Sequence, residues 1–291
     1  MSKPYRIFRT EVLRAQRISP SFVRVTLAGP ELAFCGATLL DQRVKLIFST
    51  DPETLAGADD WYAAWRELPD ERRPPMRTYT LRDVRPEAGE VDIDFACHGD
   101  AGPASRFALT AAPGQQVLLV GPDARVPGHD ASGVAWQPGR ARELLLVGDE
   151  TAAPAICNIL SVLPAEATGL AVIEVPHADD AQPVEAPDGV EVRWVARTGE
   201  RVGDDATPHV LEWARQRTSG VPGEGVEETD RERDGLLIWE EASADEDRYA
   251  WLAGEAGWVT GLRRSLVNEL GLPRKQLSFM GYWKDGVVAV G

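Results

Sequence analysis

Two rhythms of apolar and polar residues divide this chain. Up to Val120 the runs are short. Phe22–Leu27 and Val91–Phe95 place apolar side chains at alternate positions, the period of a half-buried antiparallel strand. Val44–Phe48, Arg77–Val84 and Gln116–Val120 are further strand candidates, and strands at this spacing predict a sandwich or barrel. Residues 51–75, rich in Pro, Asp and Arg around Trp61 and Trp65, read as a loop or an irregular helical insertion. Residues 122–142, with scattered Gly and Pro, read as a mobile loop and linker. From Glu143 the pattern changes. Glu143–Asp149 is a continuous apolar run, expected of a strand buried on both faces. Helices are predicted at Ala152–Leu163, Pro208–Arg217 and Gly257–Leu270. Between and after them, Leu170–Val175, Val190–Val195, Leu236–Trp239, Tyr249–Ala253 and Gln276–Met280 read as strands. Strands alternating with helices imply a parallel, nucleotide-binding α/β sheet. Residues 218–234 have almost no large apolar side chain and are expected to be a disordered loop.

At 291 residues the chain is long enough for two domains, placed at 1–135 and 136–291. No apolar stretch approaches bilayer length, so no membrane span is expected. The first residues lack the apolar region and small-residue cleavage site of a secretory signal. Cys35, Cys97 and Cys157 form no C-x-x-C pair, which argues against a zinc site or disulfide framework and suits a reducing cytoplasm. A net charge of −15 makes nucleic acid a poor partner. That charge is uneven: residues 1–50 carry +5, residues 256–291 carry +3, and the span between them carries −23. Ordinary scatter of surface charge is one reading; attraction of an anionic ligand to the basic ends is the other.

Three segments carry chemistry. In Arg77-Thr78-Tyr79-Thr80-Leu81-Arg82 an extended backbone turns Arg77, Tyr79 and Leu81 one way and Thr78, Thr80 and Arg82 the other. The first face offers an aromatic edge, and arginine's planar fork can take two phosphate oxygens. An exposed strand with ordinary arginines is the plainer alternative. Phe95 to Ala108 runs from a strand through a Gly-rich turn containing His98 and Gly102 into a helix opened by Pro103. The unpaired amides of such a helix start suit a pyrophosphate, with Ser105 adding a hydroxyl. Gly148-Asp149-Glu150-Thr151 follows the first strand of the second domain. It is not G-x-G-x-x-G, yet it opens a helix whose N-terminus can receive a pyrophosphate, or whose acids simply cap it. Arg197 at a strand's carboxyl end suits either an adenosine 2′-phosphate or a salt bridge.

These segments resemble the siderophore-interacting proteins, a flavin-dependent branch of the ferredoxin-reductase superfamily. The R-x-Y-T strand resembles the superfamily's flavin strand. The His98-Gly99…Gly102-Pro103-Ala104-Ser105 stretch, the Gly148–Ala152 loop, the Gly254-Glu255…Leu262-Arg263-Arg264 helix and the Gly281-Tyr282-Trp283 tail resemble the branch. Two departures stand out: Phe107 replaces a common indole, and Asp285 follows Lys284 where a second base is usual.

The resemblance implies a ferredoxin-reductase-like fold, an N-terminal antiparallel flavin-binding β barrel followed by a parallel-sheet nucleotide-binding domain. It implies FAD bound by Arg77, Thr78, Tyr79, Thr80, Phe95, Ala96, His98, Gly102, Pro103, Ala104, Ser105 and Trp283. NADPH or NADH, the expected donor, would meet Gly148, Asp149, Glu150, Thr151, Arg197 and Glu255. Lys45, Arg263, Arg264 and Lys284 would meet the substrate, a ferric siderophore. No side chain need act as acid or base and no metal is bound by the protein; electrons pass through the flavin to iron, released as Fe(II). A monomer is expected. A general flavin reductase acting on ferredoxin or small acceptors, and a non-catalytic iron-chelate carrier, are the competing functions.

Overall fold

The alternating N-terminal runs form one seven-stranded antiparallel sheet. Its members are β1 (Tyr5–Arg17), β2 (Phe22–Ala28), β3 (Arg43–Ile47), β4 (Met76–Thr80), β5 (Asp83–Arg85), β6 (Glu90–Ala96) and β7 (Gln116–Pro122), in the order β4-β3-β7-β1-β2-β6-β5. The computed structural model describes residues 4–48, 55, 57, 60–97, 102–218, 246–287 and the backbone of 239–240. The chain divides into two compact units, one ending at Val134 and the other beginning at Ala135.

The two edges of the first sheet are consecutive in sequence. Thr80 is the last residue paired with β3, Leu81 N donates to Gln42 O (3.0 Å), and Arg82 N donates to Asp92 O on β6 (2.9 Å). Two residues therefore carry the chain from one edge to the other and curl the sheet into a barrel. The single strand expected over Arg77–Val84 is accordingly two, because its middle is the crossing. The barrel is filled by Phe8, Val25, Leu27, Leu46, Ile93, Phe95 and their neighbours. On the outer face of β3, β4 and β7, the helix α1 (Trp61–Glu67) covers Ile47, Met76, Leu118 and Val120 with Trp65. Asp60 caps it by accepting from Ala63 N (3.2 Å).

The 13-residue β1 has no counterpart among the expected strands. A bulge between Val12 and Arg14 breaks its alternation, and its last five side chains are exposed, so half of it carries no apolar period. The segment expected to be a mobile linker is irregular but anchored: Trp136 is buried edge-on against Tyr249, ring centroids 5.0 Å apart. Of the loop expected at 218–234, all but Thr218 lies outside the described residues.

The second unit holds a parallel sheet of β8 (Glu143–Gly148), β9 (Thr168–Val175), β10 (Val190–Ala196), β12 (Arg248–Glu255) and β13 (Leu277–Trp283), with β11 (Trp239–Glu240) antiparallel at one edge. The order is β10-β9-β8-β12-β13-β11. Among the described residues, the helices α3 (Ala153–Ser161), α4 (Thr207–Arg215) and α5 (Ala256–Arg264) follow β8, β10 and β12. The expected helix over Gly257–Leu270 is α5 followed by a π-type turn at Ser265–Glu269. Strand order reverses between β8 and β12, so the loops after these strands flank the crevice where such sheets bind ligands.

Close packing of β8 against β9 has one strict requirement. Gly169 sits at φ +142°, and a Cβ there would stand 1.9 Å from Leu144 O. Gly169→Ala should cost at least about 3 kcal/mol through backbone clash and strain, lowering the thermal midpoint of the second unit. An unchanged midpoint would contradict this packing.

Candidate functional site

In the first unit, β4 is an edge strand, so a ligand laid along it meets side chains from both faces and the strand's outward backbone groups. On the inner face Tyr79 packs on Phe95 (centroids 4.4 Å), and Phe95 on Phe107 (5.9 Å). Arg77 is half-buried, and its Nη1 donates to Met76 O at 2.8 Å. On the opposite face Thr78 pairs with Lys45 of β3, whose Nζ donates to Thr78 Oγ1 at 3.3 Å. Burial and the neighbouring charge of Arg43 lower the Lys45 pKa.

The helix α2 (Pro103–Thr110) begins beyond β6 with Gly102 as N-cap and no described side chain capping it. Among the described residues, no hydrogen-bond partner is seen for the amides of Ala104 and Ser105, donors of the first turn that lie beyond the reach of the helix's own carbonyls. A Cβ on Gly102 would meet no described atom within 4 Å. A helix start that no described side chain caps and an arginine on the edge strand fit a pyrophosphate joined to an aromatic ring system.

In the second unit the site is organised by Asp149, which has no exposed surface. Its Oδ1 accepts from Thr151 N (2.9 Å) and Thr151 Oγ (2.5 Å); its Oδ2 accepts from Glu255 N (2.7 Å) and Trp283 Nε1 (2.8 Å). One carboxylate thus ties together the ends of β8, β12 and β13. Burial and the Glu150 charge raise the Asp149 pKa, while the bonds from Thr151 and Trp283 oppose the rise. Gly254, at φ +145°, makes the approach possible: a Cβ there would lie 2.6 Å from Asp149 Oδ2. Glu255 completes the arrangement by accepting from Trp258 N (2.7 Å) at the start of α5 and from Asp285 N (3.2 Å) in the tail. Beside this hub, Arg197 donates to Glu150 Oε2 (2.6 Å) and to Glu174 Oε1 (2.9 Å). Glu174 also accepts from Gly203 N (2.7 Å) and Ala206 N (3.0 Å), fixing the start of α4.

The siderophore-interacting FAD-binding domain model matches residues 11–126, and the siderophore-interacting protein model matches residues 141–286. The chain belongs to the siderophore-interacting protein family. It is 28% identical to the ferric vibriobactin reductase ViuB of Vibrio cholerae, over 95% of this chain and 89% of that one. Its structure is similar to that of the siderophore-interacting protein SipS from Aeromonas hydrophila, with a TM-score of 0.68 and 30% identity, covering 98% and 94% of the two chains. A ferredoxin NADP+ reductase from Neisseria gonorrhoeae, 11% identical over 96% and 99%, shares the fold with a TM-score of 0.56. The fold is therefore ferredoxin-reductase-like, an antiparallel barrel followed in sequence by a parallel α/β unit, and the barrel carries the family's FAD-binding domain.

Several family positions are occupied differently from expectation. Phe95 is closed inside the barrel core, so its ring offers no surface to FAD; the aromatic wall it forms with Phe107 supports Tyr79 instead. Ala96 ends β6 opposite Phe22, half-buried. Gly102, Pro103 and Ser105 lie half-buried at the start of α2, with Ala104 buried behind them. His98 lies outside the described residues. Asp149, Glu150 and Glu255 are buried and engaged within the protein, because each closes on internal donors. Gly148 makes the strand–helix approach: a Cβ there would sit 2.5 Å from the Ala152 Cβ. Thr151, half-buried, has its hydroxyl proton on Asp149, which leaves the oxygen as an acceptor. Arg197, 13% exposed, is held by two buried carboxylates in place of an expected phosphate. Arg263 is 1% exposed and stacks over the Phe279 ring at 4.5 Å; it is a core residue, not a substrate contact. Arg264 and Lys284 remain half-buried at the surface of the second unit.

Glu174 was missed. A lone carboxylate inside the apolar run Leu170–Val175 is the signal that marks it, since a buried charge demands partners. Trp283 tests the hub. Trp283→Phe removes one donor from buried Asp149 and should destabilise the second unit by ~1–3 kcal/mol in urea unfolding. Unaltered stability would show that the indole bond is dispensable.

Proposed function

We propose that this protein is an FAD-dependent ferric-siderophore reductase that takes electrons from a reduced nicotinamide nucleotide in the cytoplasm. The observation that carries the reading is the start of α2, which no described side chain caps, together with the Arg77–Tyr79 edge strand, both within the segment matched by the family's FAD-binding model. The reductase name of ViuB and the reversal of strand order at the Asp149 loop support the rest. FAD, when bound, accepts hydride and passes electrons on singly. One reduced nicotinamide and two ferric chelates thus give the oxidised nicotinamide, a proton and two ferrous ions. Hard anionic oxygens hold Fe(III) well and Fe(II) less well, so reduction loosens the metal.

The chain's own residues bind and orient. Arg77 and the first-turn amides of α2 hold the pyrophosphate, and Tyr79, backed by Phe95, positions the ring. The Thr151 oxygen accepts from the nicotinamide carboxamide, and Asp149 fixes its direction. Lys45, Arg264 and Lys284 raise the encounter rate of an anionic chelate with an otherwise acidic molecule.

Arg77→Ala should weaken FAD binding by ~1.5–3 kcal/mol, roughly ten- to hundredfold, with the fold intact by circular dichroism. A variant that purifies with full FAD would refute the assignment. Thr151→Val should slow flavin reduction by nicotinamide about tenfold, the worth of one lost hydrogen bond, and leave reduction by dithionite unchanged. Equal rates with both reductants in variant and parent would remove the loop from hydride transfer. Lys284→Glu should raise the KM for an anionic ferric siderophore and flatten its salt dependence without changing flavin content. Overall, anaerobic flavin reduction followed by reoxidation with a ferric siderophore and capture of Fe(II) by a ferrous chelator is required. Reoxidation by ferricyanide alone would sink the siderophore reading.

A further inference from the structure

We infer that the donor site selects NADH and rejects NADPH, an inference that rests on the nucleotide reading of the Asp149 loop. In a parallel sheet of this order, the adenosine ribose falls near the end of the second strand. There an acid can take its 2′-hydroxyl, or a free arginine its 2′-phosphate. Here the second strand is β9, and the arginine at hand is Arg197 after the neighbouring β10. It is not free. Its Nε lies 2.9 Å from Glu174 and its Nη2 2.6 Å from Glu150, two carboxylates closed to solvent. Turning Arg197 toward a phosphate would strand both acids without their cation and unfasten Glu174, which also holds the start of α4.

The surrounding loops add to the discrimination. After β9 and β10 the exposed side chains include Asp179, Glu200 and Asp204, against Arg201. Asp205 is fixed by Thr198 N (2.7 Å), and Arg193 within β10 is paired with Glu191 (2.6 Å). A dianionic 2′-phosphate would meet net negative charge here. A ribose hydroxyl meets acceptors it can donate to.

Calorimetric titration of the full-length, FAD-loaded protein with 5′-AMP and 2′,5′-ADP separates the two halves of the donors from flavin chemistry. We expect 5′-AMP to bind at least tenfold more tightly. Equal binding, or tighter binding of 2′,5′-ADP, overturns the inference. Glu150→Gln, which releases Arg197 from one acid, should narrow the gap at least threefold. The surface pair Glu200→Gln with Asp204→Asn should narrow it too, and serves if the buried variant does not fold. A gap that neither variant moves would also overturn the charge argument. If neither nucleotide binds and neither NADH nor NADPH reduces the flavin, the nucleotide reading itself fails. If both reduce it equally well, only the selectivity fails.

Discussion

A carboxylate with no exposed surface is tolerated only when its oxygens are met by donors, and Asp149 meets that demand by gathering the second unit around itself. Its four bonds come from the loop after β8, the backbone at the end of β12 and the indole of β13. None of these contacts is local to one element beyond Thr151. Asp149 and Glu255 each accept from the tail, adding to the pairing of β13 with β12, and Gly254 is a glycine because a side chain would occupy the carboxylate's position. The position and hydroxyl orientation of Thr151 follow from the same residue.

In the first unit the corresponding constraint is topological. The six residues Arg77–Arg82 form an edge strand and then cross to the opposite edge within two residues. The crossing brings Tyr79 against Phe95 and leaves its flank as an unpaired edge, which is where an extended cofactor has access. Lys45 and Thr78 lie on the other face of the same ladder, over the cluster covered by α1. The pleat therefore divides the hexapeptide and its partner strand between two environments.

Arginines illustrate how position overrides residue type. Arg24, Arg82 and Arg85 pair with Asp92 and Asp94 across β2, β5 and β6. Arg197 joins two buried acids, and Arg263 packs on Phe279. All five have the chemistry to bind an anion, yet their partners inside the protein already use it. The surface cations left for an anionic chelate are fewer than the sequence count suggests.

By itself the sequence determined the class of each half. Period-two alternation in Phe22–Leu27 and Val91–Phe95, and the apolar run at Glu143–Gly148, mark strands by local pattern; the half-buried face expected of the alternating pair is not what forms, because Thr26, Asp92 and Asp94 are buried with polar partners on the second face. The motifs also located the turn at Gly102 and the loop at Gly148–Thr151, because their glycines and helix starts act over a few residues. Only the tertiary structure decided which polar groups remain available. Asp149, Glu150, Arg197 and Arg263 read as surface ligands in the sequence; long-range partners 23 to 134 residues away, or burial itself, withdraw them. A side chain's charge is written in the chain, but whether water, protein or ligand answers it depends on what folding brings within about 3 Å.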